Sequence, residues 1–324
     1  MFNARTDLVV EAREMHLENK VDEIQGTETE TEDFDYGISV TRVTISDEQG
    51  AKVLGKPKGK YITLELPEKG QVRQGAYEEA CRVCALELCR LLDGKDCETV
   101  LVAGLGNRGI TADSVGPKCV DSVLVTRHLL EYMPDEIDNR LRAVCAVAPG
   151  VLGITGIETS EIVKGLVDRI KPSVVIAVDA LCSRSMERVN STIQMSDTGI
   201  APGAGIDNKR MALDEANLGI PVIAIGVPTV IDAATIAGDA IDMLVEDMKK
   251  HSGENSLLFR MLNTIADEDK YSVIKEVFEP AHGAFVVTPK EIDMLVGTVS
   301  DIIANGINIA IHEGITLGDI DRYK

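Results

Sequence analysis

The hydrophobic positions of this chain gather in four short runs whose consecutive residues are apolar, which is typical of strands buried on both faces of a parallel sheet. The runs are TVLVAGLG from Thr99, RAVCAVAP from Arg142, SVVIAVDAL from Ser173 and PVIAIGVP from Pro221. Segments with apolar residues at helical spacing separate them. This alternation predicts an α/β fold: a doubly wound, mostly parallel sheet with flanking helices and right-handed crossovers.

Helices are predicted where apolar residues recur at helical spacing. They are GPKCVDSVLVTRHLLEYM from Gly116, ETSEIVKGLVDRI from Glu158 and VIDAATIAGDAIDMLVEDM from Val230. Near the C-terminus, Thr288 and Glu291 have the spacing of a capping box, and Pro289 suits a first helical position. The last helix is therefore predicted to begin there and to pack against the sheet.

Residues 8–97 read as an N-terminal extension of the core, which spans residues 98–324. The extension is β-rich, with the strands ISVTRVTI and KYITLELP separated by the basic, turn-rich loop GKPKGK. Residues 21–37 hold seven acidic residues and no Lys or Arg. Such a charge run predicts a solvated, mobile linker. We expect a single globular unit overall.

Composition narrows the class of protein. The 324 residues carry a formal net charge of −20, and Lys and Arg never run longer than a pair, so direct binding to nucleic acid is not expected. No apolar stretch predicts a membrane span, and the charged N-terminus is not a signal peptide. The seven Cys are scattered and odd in number, which favours a reducing, intracellular compartment over a disulfide framework. Cys81, Cys84 and Cys89 are expected on a buried helix face.

The segment AGLGNRGITADSVGP contains G-x-G-x-x-G at Gly104, Gly106 and Gly109. A dinucleotide site would need the helix to open within the glycines and an acidic residue at the end of the second strand, and neither condition holds. The loop instead places Asp113 beyond the carboxyl end of the first core strand. Asp179 ends the third, in VDAL.

In a sheet of order 2-1-3-4 these two strands are neighbours at the topological switch point, where open α/β sheets bind ligands. Two carboxylates there can share a proton and activate water, or they can hold a divalent cation. The alternative is that Asp113 is only a helix cap, because it precedes Ser114 and Gly116. The residues alone leave these interpretations open.

Four long blocks resemble the germination protease family of spore-forming bacteria. They are GLGNRGITADSVGPKCVDSVLVTRHL, APGVLGITGIETSEIVKGLV, IAVDALCSRSMERVNSTIQMSDTGIAPGAGIDNKR and LGIPVIAIGVPTVIDA. The resemblance covers most of the chain and implies an endopeptidase that begins the degradation of small acid-soluble spore proteins during germination. It also implies a homotetramer in the cytoplasm of the developing forespore and the spore core, and a fold similar to that of the hydrogenase maturation endopeptidases.

By the resemblance, Asp113 and Asp179 are the aspartates on which activity depends. We expect them to activate water and to protonate the leaving amine without a covalent intermediate. Substrates of the family are cut next to acidic residues, so nearby cationic and polar side chains are candidates for substrate binding. These candidates are Arg184, Arg188, Asn208, Lys209 and Arg210.

The resemblance also implies a zymogen that removes its own N-terminal propeptide at a site that imitates the substrate. In ARTDLVVEA this site corresponds to the bond between Asp7 and Leu8, which makes residues 1–7 the propeptide. The chain departs from the family pattern at Val9 and Ala4, where Ala and an acidic residue are favoured. The departures put the exact bond in question, but not self-processing.

Three other interpretations compete with a germination protease that uses two aspartates. A nickel-dependent maturation peptidase of hydrogenase would have the same fold, and a non-catalytic binding protein could keep it. A Ser/His triad built on Ser114 or Ser183 is weak because no His has an obvious place beside them. No cofactor is expected and no metal ligand is assigned, because Ala201 stands where some relatives would have His; a divalent metal stays open.

Overall fold

The computed structural model describes residues 6–18, 24–67, 73–133, 135–201, 211–252, 256–263, 274, 277 and 285–323. Its strands are β1 (Thr27–Asp33), β2 (Ser39–Ile45), β3 (Gly59–Glu65), β4 (Thr99–Gly104), β5 (Ala143–Val147), β6 (Val174–Ser183), β7 (Thr192–Ser196), β8 (Val222–Asp232) and β9 (Val286–Val287). Its helices are α1 (Val9–Glu18), α2 (Glu48–Leu54), α3 (Gln74–Leu92), α4 (Val115–Ser122), α5 (Arg127–Tyr132), α6 (Leu152–Thr155), α7 (Thr159–Ile170), α8 (Glu215–Leu218), α9 (Ala233–His251), α10 (Leu257–Asn263), α11 (Ile292–Ile311) and α12 (Leu317–Tyr323).

Across this described part the strands form one sheet in the order β1-β2-β3-β7-β8-β6-β4-β5, with β9 beside β8. The four apolar runs are its parallel centre, because β5, β4, β6 and β8 pair in parallel in that order. In chain order this is 2-1-3-4, so the predicted doubly wound, mostly parallel α/β fold is confirmed. Gly104, the last residue of β4, lies beside Val178, and β6 continues five residues further to Ser183. Asp179 is therefore inside its strand, not at the carboxyl end as predicted, because β6 goes on pairing with the long strand β8.

The sheet has two differently covered faces. On one, α3, α4 and α11 pack against residues such as Ile176 and Val178. We call the other the front face: Val175 and Ala177 pack there with α7, and Tyr61 packs with α1 further along the sheet. The N-terminal extension is thus continuous with the core sheet through β3 and β7.

The mobile linker predicted over residues 21–37 is wrong for the part that the structure describes. Thr27 to Asp33 form β1, paired with β2 in all seven positions of the strand. The reason lies in the alternation TETETED, which sends β-branched Thr to one side and Glu to the other. Arg42 lies opposite Glu30 and also bonds Glu32, so part of the negative charge is neutralised.

Arg42 also links this edge of the sheet to α3, and we expect its removal to lower the free energy of unfolding. Its Nε and Nη2 donate to the two carboxylate oxygens of Glu87, at 2.8 and 2.6 Å, and the Glu87 side chain is fully buried. Arg42→Met would leave this carboxylate buried with the more distant Arg90 Nε, at 3.6 Å, as its remaining ion-pair partner. We predict a loss of about 3 kcal/mol in the free energy of unfolding, measured by urea denaturation at neutral pH.

The matched control is Arg82→Met, because the Arg82 side chain is 57 % exposed and pairs with Glu79 at the surface. That variant should change stability by less than about 1 kcal/mol. The double variant Arg42→Met with Glu87→Leu should recover most of the loss, since no buried charge remains. Equal effects of the two arginine variants would contradict the anchoring role of Arg42.

Two local predictions are wrong because tertiary partners override the sequence pattern. The helix predicted from Gly116 to Met133 breaks after Ser122: Leu124 N donates to Asn308 Oδ1 at 2.9 Å, and Thr126 N donates to the Val144 carbonyl of β5. The predicted capping box does not form either. The Thr288 hydroxyl donates to the Thr229 carbonyl at 2.8 Å, and α11 begins only at Ile292.

Helix α11 is the predicted C-terminal helix, and it continues to Ile311. By length and composition it is the one helix of the described residues that could cross a membrane. Most of it is buried against α3 and α4, however, so it is the central helix of the core. Cys81 and Cys84 are buried on the neighbouring α3, as predicted. For Cys89 the prediction is wrong: this residue is exposed, because Leu88 and Leu91 take the buried positions of that turn.

Candidate active site

Asp113 is held by the glycine loop that follows β4. The loop ends in a 3-10 turn over Thr111–Asp113, and Asp113 Oδ2 accepts a hydrogen bond from Asn107 N at 2.8 Å. Gly106 has a φ of +107°, and a Cβ there would lie 2.1 Å from the Asp113 carbonyl oxygen. Asp113 is not the cap of α4: the N-cap position is Ser114, which makes no side-chain capping bond. The loop folds its backbone around a carboxylate.

Asp179 lies on β6 beside this loop and is 8 % exposed. Leu105 N, at the start of the loop, donates to the Val178 carbonyl at 2.7 Å, which fixes the loop against β6. Burial, together with the nearby charge of Asp113, raises the pKa of Asp179 to about 8. Burial raises the pKa of Asp113 as well, opposed by the hydrogen bond from Asn107. The structure thus brings the two predicted carboxyl groups near enough for the charge of Asp113 to act on Asp179.

The N-terminal segment reaches the same strand. Asp7 N donates to the Cys182 carbonyl at 2.9 Å, and Cys182 N donates to Asp7 Oδ2 at 2.8 Å. The charge of Asp7 also contributes to the raised pKa of Asp179. Leu8 and Val9 are fully buried on the front face. The predicted cleavage bond between Asp7 and Leu8 therefore lies on the strand that carries Asp179.

Two side chains that the sequence did not single out hold this bond. Lys56 Nζ and Gln194 Nε2 both donate to the Asp7 carbonyl oxygen, at 2.9 and 3.1 Å. Gln194 Oε1 accepts a hydrogen bond from Val9 N at 2.7 Å. Burial lowers the pKa of Lys56, and the charges of Asp7 and Glu11 oppose that shift. The only signal in the sequence is the basic character of GKPKGK, a segment that predicts a turn-rich loop.

Glu11 anchors the segment from the other side. Its side chain is 2 % exposed and accepts hydrogen bonds from the backbone amides of Arg184 and Ser185, at 2.7 and 2.9 Å, and from the Thr6 hydroxyl. These contacts fix the beginning of α1 beside the end of β6. Nothing in the sequence pattern separates Glu11 from the other acidic residues of α1.

Two of the five predicted substrate-binding residues lie in the described part of the chain, and both pair with acidic side chains. Arg184 Nη2 pairs with Asp239 at 3.0 Å, and Arg188 makes bidentate contacts with Glu14, at 2.6 and 2.7 Å, and a third with Glu65. Their role toward substrate stays a prediction. Three further candidates lie outside the described residues: Asn208, Lys209 and Arg210.

Among the described residues, neither rival nucleophile is hydrogen-bonded to a His or to a carboxylate. Ser114 Oγ donates to the Thr111 carbonyl and Ser183 Oγ to the Ser185 carbonyl, at 2.8 and 3.0 Å. Within the described ranges no three His, Cys, Asp or Glu side chains are grouped as ligands of a metal ion. The described side chains supply two carboxyl groups and, further along β6, a peptide bond held by Lys56 and Gln194.

Comparison with known proteins identifies the family of this chain. The family model described as germination protease matches residues 3–263 and 246–324. A germination protease of Clostridium perfringens is 49 % identical over 323 residues, covering 100 % of this chain and 99 % of its own length. That of Caldanaerobacter subterraneus is 47 % identical, with 99 % and 98 % covered. That of Priestia megaterium is 40 % identical, with 99 % and 97 % covered.

Among solved structures, a NiFe hydrogenase maturation protease from Thermococcus kodakarensis is similar to 59 % of this chain and 96 % of its own. The TM-score is 0.30 and the sequence identity is 16 %, values too low to carry any conclusion about the site. The matches to the curated relatives, by contrast, run through the whole chain at 40 to 49 % identity. The chain belongs to the germination protease family.

Proposed function

We propose that this peptidase begins the degradation of small acid-soluble spore proteins at germination, with Asp113 and Asp179 as its catalytic pair. Membership of the germination protease family makes the chain a peptidase of spore germination; the substrate and the roles of the two aspartates are the further step. The observation that carries the proposal is a peptide bond, Asp7 to Leu8, held on the strand of a buried carboxyl pair.

The two aspartates have different roles in this mechanism. Asp179 has the strongly raised pKa of about 8 and holds the shared proton at neutral pH, while Asp113 accepts the Asn107 amide as a carboxylate. Asp113 takes a proton from water, whose oxygen adds to the carbonyl carbon of the scissile bond. Asp179 gives its proton to the leaving nitrogen as the C–N bond breaks. The products are a carboxylic acid and an amine, and no acyl-enzyme forms.

The same site explains a self-processing zymogen. Residues 6–9 lie along β6 and β7 as a substrate would, so the segment before the cut occupies the cleft until it is removed. Because Leu8 is fully buried, a second enzyme molecule could reach the bond only after the segment opens. Cleavage within one molecule is therefore favoured. Drying and acidification of the spore interior are the proposed trigger.

The paired roles predict a bell-shaped pH profile for self-processing. Above about pH 8 Asp179 loses its proton, so the rate should fall as the pH rises through that value. At low pH Asp113 becomes protonated and can no longer activate water; because its pKa is raised, this limb should lie above the ordinary range of an aspartate. Initial rates of release of residues 1–7, followed by mass spectrometry, would measure it. A rate that keeps rising into alkaline pH would contradict this assignment.

We further propose a homotetramer in the spore cytoplasm. Large apolar side chains are exposed on α9 and α10, which contact each other: Met243, Leu244, Leu257 and Met261. Such a patch is typical of an interface between protein chains. Light scattering during size-exclusion chromatography would measure the mass, and a monomer at micromolar concentration would contradict the proposal.

The decisive experiment is digestion of a purified small acid-soluble spore protein. Wild type, Asp113→Asn and Asp179→Asn, all prepared as chains beginning at Leu8, are compared with Asp121→Asn, whose exposed carboxylate pairs with Arg108. We expect cuts beside acidic residues by wild type and Asp121→Asn, and rates at least about 1000-fold lower for the other two. A chelator arm asks whether a divalent cation takes part. Wild-type rates in either site variant would exclude that aspartate.

A further inference from the structure

The Asp7 carbonyl oxygen accepts two hydrogen bonds from side chains that the mechanism has not yet used. The donors are Lys56 Nζ at 2.9 Å and Gln194 Nε2 at 3.1 Å. When water adds to a peptide carbonyl, negative charge develops on that oxygen, and fixed donors at about 2.7–3.1 Å stabilise it. A cationic donor is stronger than a neutral one, and partial burial strengthens it further.

Gln194 holds both sides of the bond rather than one atom. While its amide nitrogen donates to the carbonyl before the bond, its Oε1 accepts from Val9 N, the amide of the second residue after it. The side chain therefore fixes the orientation of the peptide group between Asp7 and Leu8. A residue that served only to fill space on the sheet would need neither contact.

The sheet register places this clamp in line with the carboxyl pair. Gln194 of β7 lies opposite Gly226 of β8, and Gly226 lies opposite Asp179 of β6. Residues in such a row project to the same face of the sheet, here the front face, and two strand spacings make about 10 Å between the ends of the row. The residue between them is a glycine, and the side chain of Leu181 fills the space where its Cβ would stand.

Lys56 is positioned to recognise a side chain as well as a carbonyl. Its ammonium group interacts with the charge of Asp7 and also donates to the Thr6 carbonyl at 3.4 Å. The Asp7 carboxylate accepts a hydrogen bond from Cys182 N, and Lys56, bound to the Asp7 carbonyl, acts on that carboxylate through its charge. A neutral side chain there would lose the interaction with the cation.

We propose that Lys56 and Gln194 form the subsite that binds the scissile carbonyl, and that Lys56 also selects an acidic residue immediately before the cut. The inference rests on the proposed function, because it takes the bond between Asp7 and Leu8 as the internal substrate. It assigns a polypeptide ligand with Asp or Glu before the cleaved bond. The alternative is that both side chains only fasten the N-terminal segment to the sheet.

The kinetic test uses the full chain and follows release of residues 1–7. We expect Lys56→Met and Gln194→Leu each to slow processing about 100-fold, the effect of removing one donor to a developing oxyanion. The matched control is Lys58→Met, because Lys58 is exposed, lies two residues away and pairs with Glu48. It should process at the wild-type rate.

Asp7→Asn separates recognition from fastening. In the wild-type background we expect it to slow processing about tenfold, and in the Lys56→Met background by less than about twofold, because the two groups act on each other. If Asp7→Asn has the same effect in both backgrounds, or if Lys56→Met processes like Lys58→Met, the inference is overturned. Failure of wild type itself to process would overturn the proposed self-processing and, with it, the catalytic role of the clamp.

A second measurement does not depend on catalysis. In the Asp113→Asn chain, amide hydrogen exchange at Val9 reports the Gln194 contact directly. Adding Gln194→Leu should accelerate exchange of this amide at least tenfold while amides in the middle of β6 stay protected. Unchanged exchange would overturn the clamp even if the enzyme processes itself. Accelerated exchange in a chain whose wild type never processes would keep the clamp as a binding contact and reject the proposed self-processing.

Discussion

Asp179→Asn is expected to abolish cleavage and, at the same time, to stabilise the folded protein above pH 7. Asn cannot deliver a proton to the leaving nitrogen, which accounts for the loss of activity. The stabilisation follows from the pKa of Asp179, raised by burial and the charge of Asp113 from 3.8 to about 8. Between those values the folded state binds a proton that the unfolded state has lost, so stability decreases as the pH rises through this window.

The size of the effect is on the order of 3 kcal/mol at pH 8.5, allowing for relaxation around the ionised carboxylate. Below pH 4 the aspartate is protonated in both states, so the gain from Asp179→Asn should largely vanish. Urea unfolding at pH 4 and pH 8.5 measures both limits. Because the wild-type chain is proposed to process itself, the comparison is made with Asp113→Asn, which is expected not to do so.

The control for this prediction is the exposed Asp121→Asn. Its pKa is lowered by the hydrogen bond from Arg108, the opposite direction to Asp179, so this substitution should not stabilise the protein at alkaline pH. A destabilised Asp179→Asn at pH 8.5 would mean that the buried carboxylate has compensating donors and that it does not hold the shared proton.

The centre of the sheet and the carboxyl pair could be predicted from the sequence because both depend on local patterns. Consecutive apolar residues mark strands buried on both faces, and the order 2-1-3-4 then places Asp113 and Asp179 at one edge. Strand β1 could not be predicted in the same way, because its high charge indicates a solvated linker whereas its period-two alternation indicates a strand. At an edge strand, charged side chains remain solvated while the backbone pairs.

Lys56, Gln194 and Glu11 could not be predicted because their roles arise from partners far apart in the chain. Gln194 lies between Ile193 and Met195, an alternation that predicts a solvent-facing position for it. On the front face that position is instead covered by the N-terminal segment, 187 residues away in sequence. The sequence of a strand does not show which distant segment will cover an outward-facing polar residue. Only the tertiary structure, in which Val9 and the Asp7 carbonyl contact Gln194, shows what covers this position.

Gly106→Ala is the substitution expected to disable the site without touching a charged group. The backbone at Gly106 has a φ of +107°, and an added Cβ would lie 2.1 Å from the Asp113 carbonyl oxygen and 2.9 Å from its Oδ1. Neither atom can move at low energetic cost, because the first belongs to the backbone and the second to the Asp113 carboxylate itself. We predict at least a 100-fold loss of cleavage, since small displacements of a catalytic group have effects of about that size.

The matched variant is Gly109→Ala, in the same G-x-G-x-x-G pattern. There the nearest atom to an added Cβ is the Asn107 side-chain oxygen at 3.3 Å, which can move, so activity should remain within about threefold of wild type. Digestion rates are compared with unfolding free energies, for which Gly106→Ala should cost about 2–4 kcal/mol. If the loop instead cradled a phosphate, both glycines would allow close approach of the backbone and both variants should fail. Unequal effects, with only Gly106 sensitive, mean that the glycine is required by the position of the Asp113 carboxylate.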